Sequence, residues 1–145
     1  MTGVEENFVW KLLQHGCEVE FSELKGKVFS SIEGLSKDED FVKFYINGKL
    51  AYVLAHFQEC CESVNIEDVC GEVEDLIGSE ILMAEEASNN DAGRLSEYDE
   101  SYTWTFYKLA TIKGYVTIRW YGTSNGYYSE RVGLWDVSKF ITQQL

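Results

Sequence analysis

The chain has 145 residues, 45% hydrophobic, 14% aromatic and 26% charged, with a formal net charge of −13. A chain of this size and apolar content buries enough surface to fold as one domain, and no apolar run reaches the roughly 18 to 20 residues of a membrane helix. The acidic excess argues against a direct grip on nucleic acid, because affinity for phosphate backbones comes from Lys and Arg displacing counterions.

Thr2 and Glu5 form a capping-box pattern, and Val4, Phe8, Val9, Leu12 and Leu13 recur at helical spacing, which predicts a helix over 3–15 stopped by Gly16. Beyond residue 21 the apolar runs shorten. Asn47-Gly48 between the runs 41–46 and 50–57 is a strong hairpin signal. Val64, Ile66, Val69, Val73, Leu76 and Ile77 suit a turn and short helix closed by Gly78 better than a strand, and 81–84 reads as a buried strand. The polar stretch 87–98 reads as one long mobile loop.

Residues 102–112, 115–121 and 127–132 are rich in β-branched and aromatic types and predict a three-strand antiparallel meander. With Lys113-Gly114 as a two-residue turn, Tyr107, Leu109, Thr111, Val116, Ile118 and Trp120 share a core face. Trp104, Phe106, Lys108, Thr117, Arg119 and Tyr121 share the other, with Lys108 directly opposite Arg119. Two cations so placed repel unless an anion joins them, so Glu62, Glu67 or Asp68 is expected to meet one of them. Residues 135–145 read as a closing helix begun by Asp136 or Ser138. The expected fold class is α+β: a helix in 1–20, then a single domain over 21–145 with one antiparallel sheet and a C-terminal helix.

The charge is concentrated. Residues 59–100 hold fourteen acidic residues and one basic residue, Arg94, whereas elsewhere eleven acids balance eleven bases. Glu67, Asp68, Glu72, Glu74, Asp75, Glu80, Glu85 and Glu86 are therefore the candidate surface for a basic partner, in imitation of nucleic-acid charge, although a plain solvated face has the same composition.

Other chemistry has weaker support. Cys17, Cys60, Cys61 and Cys70 lack the spacing of a disulfide framework or of paired zinc knuckles, so four reduced thiols and no metal are expected. His56 could activate a cysteine, but Glu59, Glu62, Glu67 and Asp68 nearby oppose a thiolate. Glu67 with Asp68, or Glu62 with Glu130, could act as an acid and base pair, with no spacing that fixes their distance. No phosphate-binding or nucleophile-elbow motif occurs, so no catalytic residue and no cofactor is assigned. An alternative ligand site combines His56, Cys60, Cys61 and Glu62 with Trp104, Lys108, Arg119 and Tyr121, which could stack a base and hold its phosphate. The polar start of the chain, 2–7, carries no signal-peptide pattern, and a cytoplasmic location is expected.

The segment from His56-Phe57-Gln58-Glu59-Cys60-Cys61-Glu62 through Ile66-Glu67-Asp68-Val69-Cys70-Gly71 resembles a family of small uncharacterised domains of bacteriophages and bacteria, whose motif is H-x-Q-[DE]-C-C-E-x-V-x-[IL]-E-D-[IV]-x-G. The stretches 102–107, 114–122 and 125–130 resemble the same family's second block, so the likeness covers about 21–134. The resemblance implies a mobile-element origin and no established reaction. By analogy with small acidic phage proteins it implies an inhibitor of a basic host protein, a nucleic-acid-binding protein or defence nuclease such as that of CRISPR immunity, acting in the host cytoplasm. The oligomeric state is not legible.

Overall fold

The computed structural model describes residues 3–140, with side chains from Phe8 onward. Thr2 of the expected capping box and 141–145 of the expected closing helix lie outside the described residues.

The helix α1 (Gly3–His15) forms as its spacing requires, and the Gly16 N–H closes it by donating to Leu12 O at 2.8 Å. The strands that follow are β1 (Cys17–Val19), β2 (Ser31–Glu33), β3 (Phe41–Ile46), β4 (Lys49–His56), β5 (Ser63–Cys70), β6 (Met83–Ser88), β7 (Ser101–Thr111), β8 (Gly114–Ser124) and β9 (Val132–Asp136). Short 3-10 turns occupy Phe21–Leu24 and Val73–Leu76. One antiparallel sheet runs β1-β9-β4-β3-β2 and the other β5-β8-β7-β6. Their facing sides supply one core, in which Val42, Phe44, Leu54 and Leu134 meet Ile66, Leu109, Ile118 and Trp120. On the far side of the first sheet, Val9, Leu12 and Leu13 of α1 cover Phe41, Leu50, Val53 and Ala55, so β4 is buried on both faces.

The expected α+β class with a C-terminal meander is thus corrected to a mostly β fold of two packed antiparallel sheets. Two local causes account for the difference. A bulge between Ile66 and Asp68 inserts Glu67 into β5, so core positions that would alternate fall at Val64, Ile66 and Val69, and the three-residue step imitates a helix. The segment 64–77 is therefore a strand and then a 3-10 turn. In the C-terminal third, Tyr127 starts no strand: 125–131 is a loop that crosses between sheets, and β9 joins the first sheet between β1 and β4. Trp135 and Asp136 belong to that strand, and helical residues begin at 138.

Both hairpins form. Asn47 and Gly48 adopt φ of 52° and 77°, the two positive values of a type I′ turn. In the β7–β8 hairpin the two turn residues are Ile112 and Lys113, one earlier than expected, so Thr111 pairs with Gly114. The pairing slides by two residues and each side chain keeps its face. The six expected core residues are buried, but Lys108 lies opposite Thr117 and Arg119 opposite Phe106.

Candidate functional site

The turn 57–62 carries the chain from one sheet to the other, and its polar side chains build a corner. His56, the last residue of β4, is 5% exposed. Its Nδ1 donates to Arg131 O at 2.8 Å and its Nε2 to Glu62 Oε1 at 2.9 Å. The Glu62 carboxylate also accepts the N–H groups of Glu59 (2.6 Å) and Cys60 (3.2 Å), and Gln58 Nε2 donates to the carbonyls of Cys60 and Glu62. Burial acts to raise the Glu62 carboxyl, but the hydrogen bonds from Glu59, His56, its own backbone and Cys60 outweigh it and hold the group at about 2. Cys60 and Cys61 are joined to each other rather than reduced. Their adjacency rules out a long-range framework but places the two sulfurs within mutual reach. Cys17 and Cys70 are free and exposed.

The outer face of the second sheet differs from expectation. Trp104 and Tyr121, read as exposed stacking groups, are 2% and 8% exposed because the loop 89–100 lies over them. Trp104 Nε1 donates to Gly93 O at 2.8 Å, and the Tyr121 hydroxyl donates to Asp99 Oδ2 at 2.6 Å while accepting the Leu95 N–H. Asn90 bonds the backbone of Tyr102 and Trp104. The stretch read as mobile is tied down along its length, and its Ala87 and Ser88 belong to β6.

Arg119 lies over the Trp104 ring, 5.5 Å from its centroid, and pairs with Glu67, with Asp68 at 3.8 Å. The expected meeting of the acidic motif with a cation of this face is therefore found, through Glu67 and Asp68, while Glu62 meets His56. Lys108 lies over the exposed Tyr115 ring. The alternative ligand site is thus not one place: His56 and Glu62 close the corner, Trp104, Arg119 and Tyr121 cluster beneath the loop, and Lys108 stands apart. Glu130 accepts hydroxyl hydrogen bonds from Thr103 and Ser124 and holds the start of the 125–131 loop. Among the described residues no group of three or more His, Cys, Asp or Glu could hold a metal.

The eight expected partner-binding acids do not form one patch. Glu67 and Asp68 lie on β5 at one edge of the second sheet, and Glu85 and Glu86 on β6 at the other. Glu72, Glu74 and Asp75 belong to the turn beside the β7–β8 hairpin tip, where Thr111 Oγ1 donates to Asp75 O, and Glu80 pairs with Val28.

Around Glu86 the structure adds acids from elsewhere. A cleft of about 710 Å³ is lined by Glu18, Glu20, Glu23, Glu86 and Arg131 with Phe21 and Leu134. Partial burial raises the Glu86 carboxyl above its ordinary range, with Arg131 opposing and Glu20 and Glu18 adding to the rise. The Tyr52 hydroxyl donates to Glu23 Oε2 at 2.9 Å. A second cleft of about 270 Å³, lined by His56, Phe57, Glu59, Ser129 and Trp135, shares Glu18, Arg131 and Gly133 with the first, so the Arg131–Glu18 ion pair lines both. Glu18, Glu20 and Glu23 escaped the sequence reading because charge was summed over a distant window. Three acids within six residues without a base were the available signal.

Residues 22–134 match the family model described as a domain of unknown function, DUF7448. The chain belongs to that family. No curated protein and no solved structure gives a match. Within DUF7448 the match spans the corner, both clefts apart from Glu18, Val19, Glu20, Phe21 and Trp135, and all of the second sheet, and it leaves α1 outside. Among the described residues no helix is long and apolar enough to cross a membrane.

Proposed function

We propose that this DUF7448 chain acts by binding: it is a phage- or prophage-encoded acidic protein that occupies the basic surface of a host defence or nucleic-acid-processing protein in the host cytoplasm, in place of nucleic acid. The observation that carries this reading is the flank where Glu18, Glu20, Glu23 and Glu86 line one cleft, with Arg131 the one basic residue of its lining. Burial raises the Glu86 carboxyl and Glu20 and Glu18 add to the rise, so a cation from outside is favoured there, and complementary charge accelerates encounter with a basic protein. The segment from His56 to Glu62 supports the fold through its buried corner. The alternative, a nucleotide-binding domain or Cys/His enzyme, has less support, since its stacking residues lie under the protein's own loop and two of its sulfurs are joined to each other.

The test is expression in a bacterium with an active nuclease-based immunity against a plaquing phage. Plaquing should rise with the wild-type chain and stay low with Glu20→Lys/Glu23→Lys/Glu86→Lys. Equal plaquing with the two proteins would contradict the reading.

A further inference from the structure

We infer that the loop end of the sandwich is a second interaction surface, built to receive arginine side chains of a protein partner. The inference shares with the reading above a basic partner, but places contact on a different surface.

Three connections converge at this end. The β7–β8 hairpin puts Ser101 beside Ser124 and β5 puts Ser63 beside Thr123, so the 57–62 turn, the 89–100 loop and the 125–131 loop emerge together. Val132 pairs with His56, which brings the first sheet to the same place. The acidic turn Val73–Leu76 lies at the other end of β7, a strand of 11 residues that spans roughly 35 Å.

The loops are held in place by buried contacts, yet they leave two aromatic rings in solvent. Trp104 and Tyr121 hold the 89–100 loop, and Glu130 holds the start of 125–131. Yet Tyr98 is 84% exposed and Tyr127 is 83% exposed, the latter set edge-on against Tyr128 at 5.0 Å. Asn125-Gly126-Tyr127-Tyr128-Ser129 has the Tyr, Ser, Gly and Asn composition of loops that bind protein surfaces, where tyrosine gives large contact area for little lost freedom. Loops already held in place lower the ordering that binding would otherwise require.

Charge selects the occupant. Glu59, Asp91, Glu97 and Glu100 are exposed on these loops, against two cations that already have partners: Arg94 lies over the Tyr102 ring and Arg131 pairs with Glu18. A guanidinium satisfies both features, since it stacks on an aromatic face and pairs with a carboxylate.

The test measures binding of labelled nona-arginine, nona-lysine and a twenty-nucleotide oligo-dT at moderate salt. Wild type should prefer nona-arginine over nona-lysine and over oligo-dT. Tyr98→Ala/Tyr127→Ala should weaken nona-arginine by roughly tenfold, the scale of one or two cation–aromatic contacts. Tyr115→Ala, exposed at the opposite end, should leave it unchanged. Both loop tyrosines project into solvent, so the variant keeps its fold, as a thermal melt would verify. Binding unaffected by the tyrosine pair but lost on Glu20→Lys/Glu23→Lys/Glu86→Lys would overturn the loop-end site and leave the acidic flank standing. Dependence on the tyrosines with no effect of that reversal would uphold the loop end and count against the flank. No binding of nona-arginine, or tighter binding of oligo-dT, would overturn the inference.

Discussion

His56 Nε2 donates to Glu62 Oε1 at 2.9 Å, and that contact joins the last residue of β4 to the residue that precedes β5. It turns the chain from one sheet into the other, with both side chains withdrawn from water. Because Glu62 also accepts two backbone N–H groups, removing either partner leaves buried polar atoms unpaired. His56→Ala and Glu62→Ala should each cost on the order of 3 kcal/mol, and the double variant should cost much less than their sum. Urea unfolding of the four proteins checks this, and additive losses would contradict a coupled corner.

The same carboxyl sets an acid limb. Glu62 titrates at about 2 in the folded chain, below the ordinary 4.5, so the folded state favours its ionised form. That contribution is fully present above pH 4.5 and is lost as pH falls toward 2. Stability measured between pH 5 and 2 should fall less steeply in Glu62→Gln than in wild type. Glu86 has the opposite sign: its raised carboxyl favours the protonated form in the fold, so its ionisation at neutral pH opposes stability. Glu86→Gln should therefore be neutral to stabilising at pH 7 while weakening partner binding.

Arg119 offers a contrast to the buried corner. Its side chain is 40% exposed and that of Glu67 23%, so solvent screens their attraction. A double-mutant cycle on Arg119→Ala and Glu67→Ala should give a coupling below about 1 kcal/mol that shrinks further in high salt. A coupling of several kcal/mol would show that the loop and sheet shield the pair more than its exposure implies.

The 89–100 loop rests on Trp104 and Tyr121, whose rings lie 4.6 Å apart. Tyr121→Phe deletes the hydroxyl that bridges Leu95 and Asp99 and should speed amide exchange at Leu95 while leaving the sheet protected. Trp104→Ala should cost roughly 3–5 kcal/mol and open the loop to protease. Unchanged exchange throughout 89–100 in Tyr121→Phe would mean that other contacts hold the loop.

Features set by local spacing were legible in the sequence. The helix over 3–15, the Asn47-Gly48 turn and the core face of β7 and β8 depend on neighbours within a few residues. A single bulge at Glu67 was enough to disguise β5, since it breaks the two-residue period that identifies a strand. The sheet change of β9 depends on pairing with β4 across more than seventy residues, and no local signal records it. The site was obscured for the same reason. Glu18 meets Arg131 at a separation of 113 residues, and Trp104 is hidden by a loop whose composition suggests only mobility. Charge summed along the chain located the acidic window 59–100, whereas the concentrated flank draws Glu18, Glu20 and Glu23 from outside it.

The central claim is that the acidic flank binds a basic host protein. Its most direct test immobilises wild type and Glu20→Lys/Glu23→Lys/Glu86→Lys, exposes both to bacterial lysate, and identifies what each retains across a salt series. Wild type should hold nucleic-acid-binding proteins at low salt, release them as salt rises, and hold at least tenfold more of them than the reversed variant. Retention of the same proteins by both, with the same salt dependence, would contradict it.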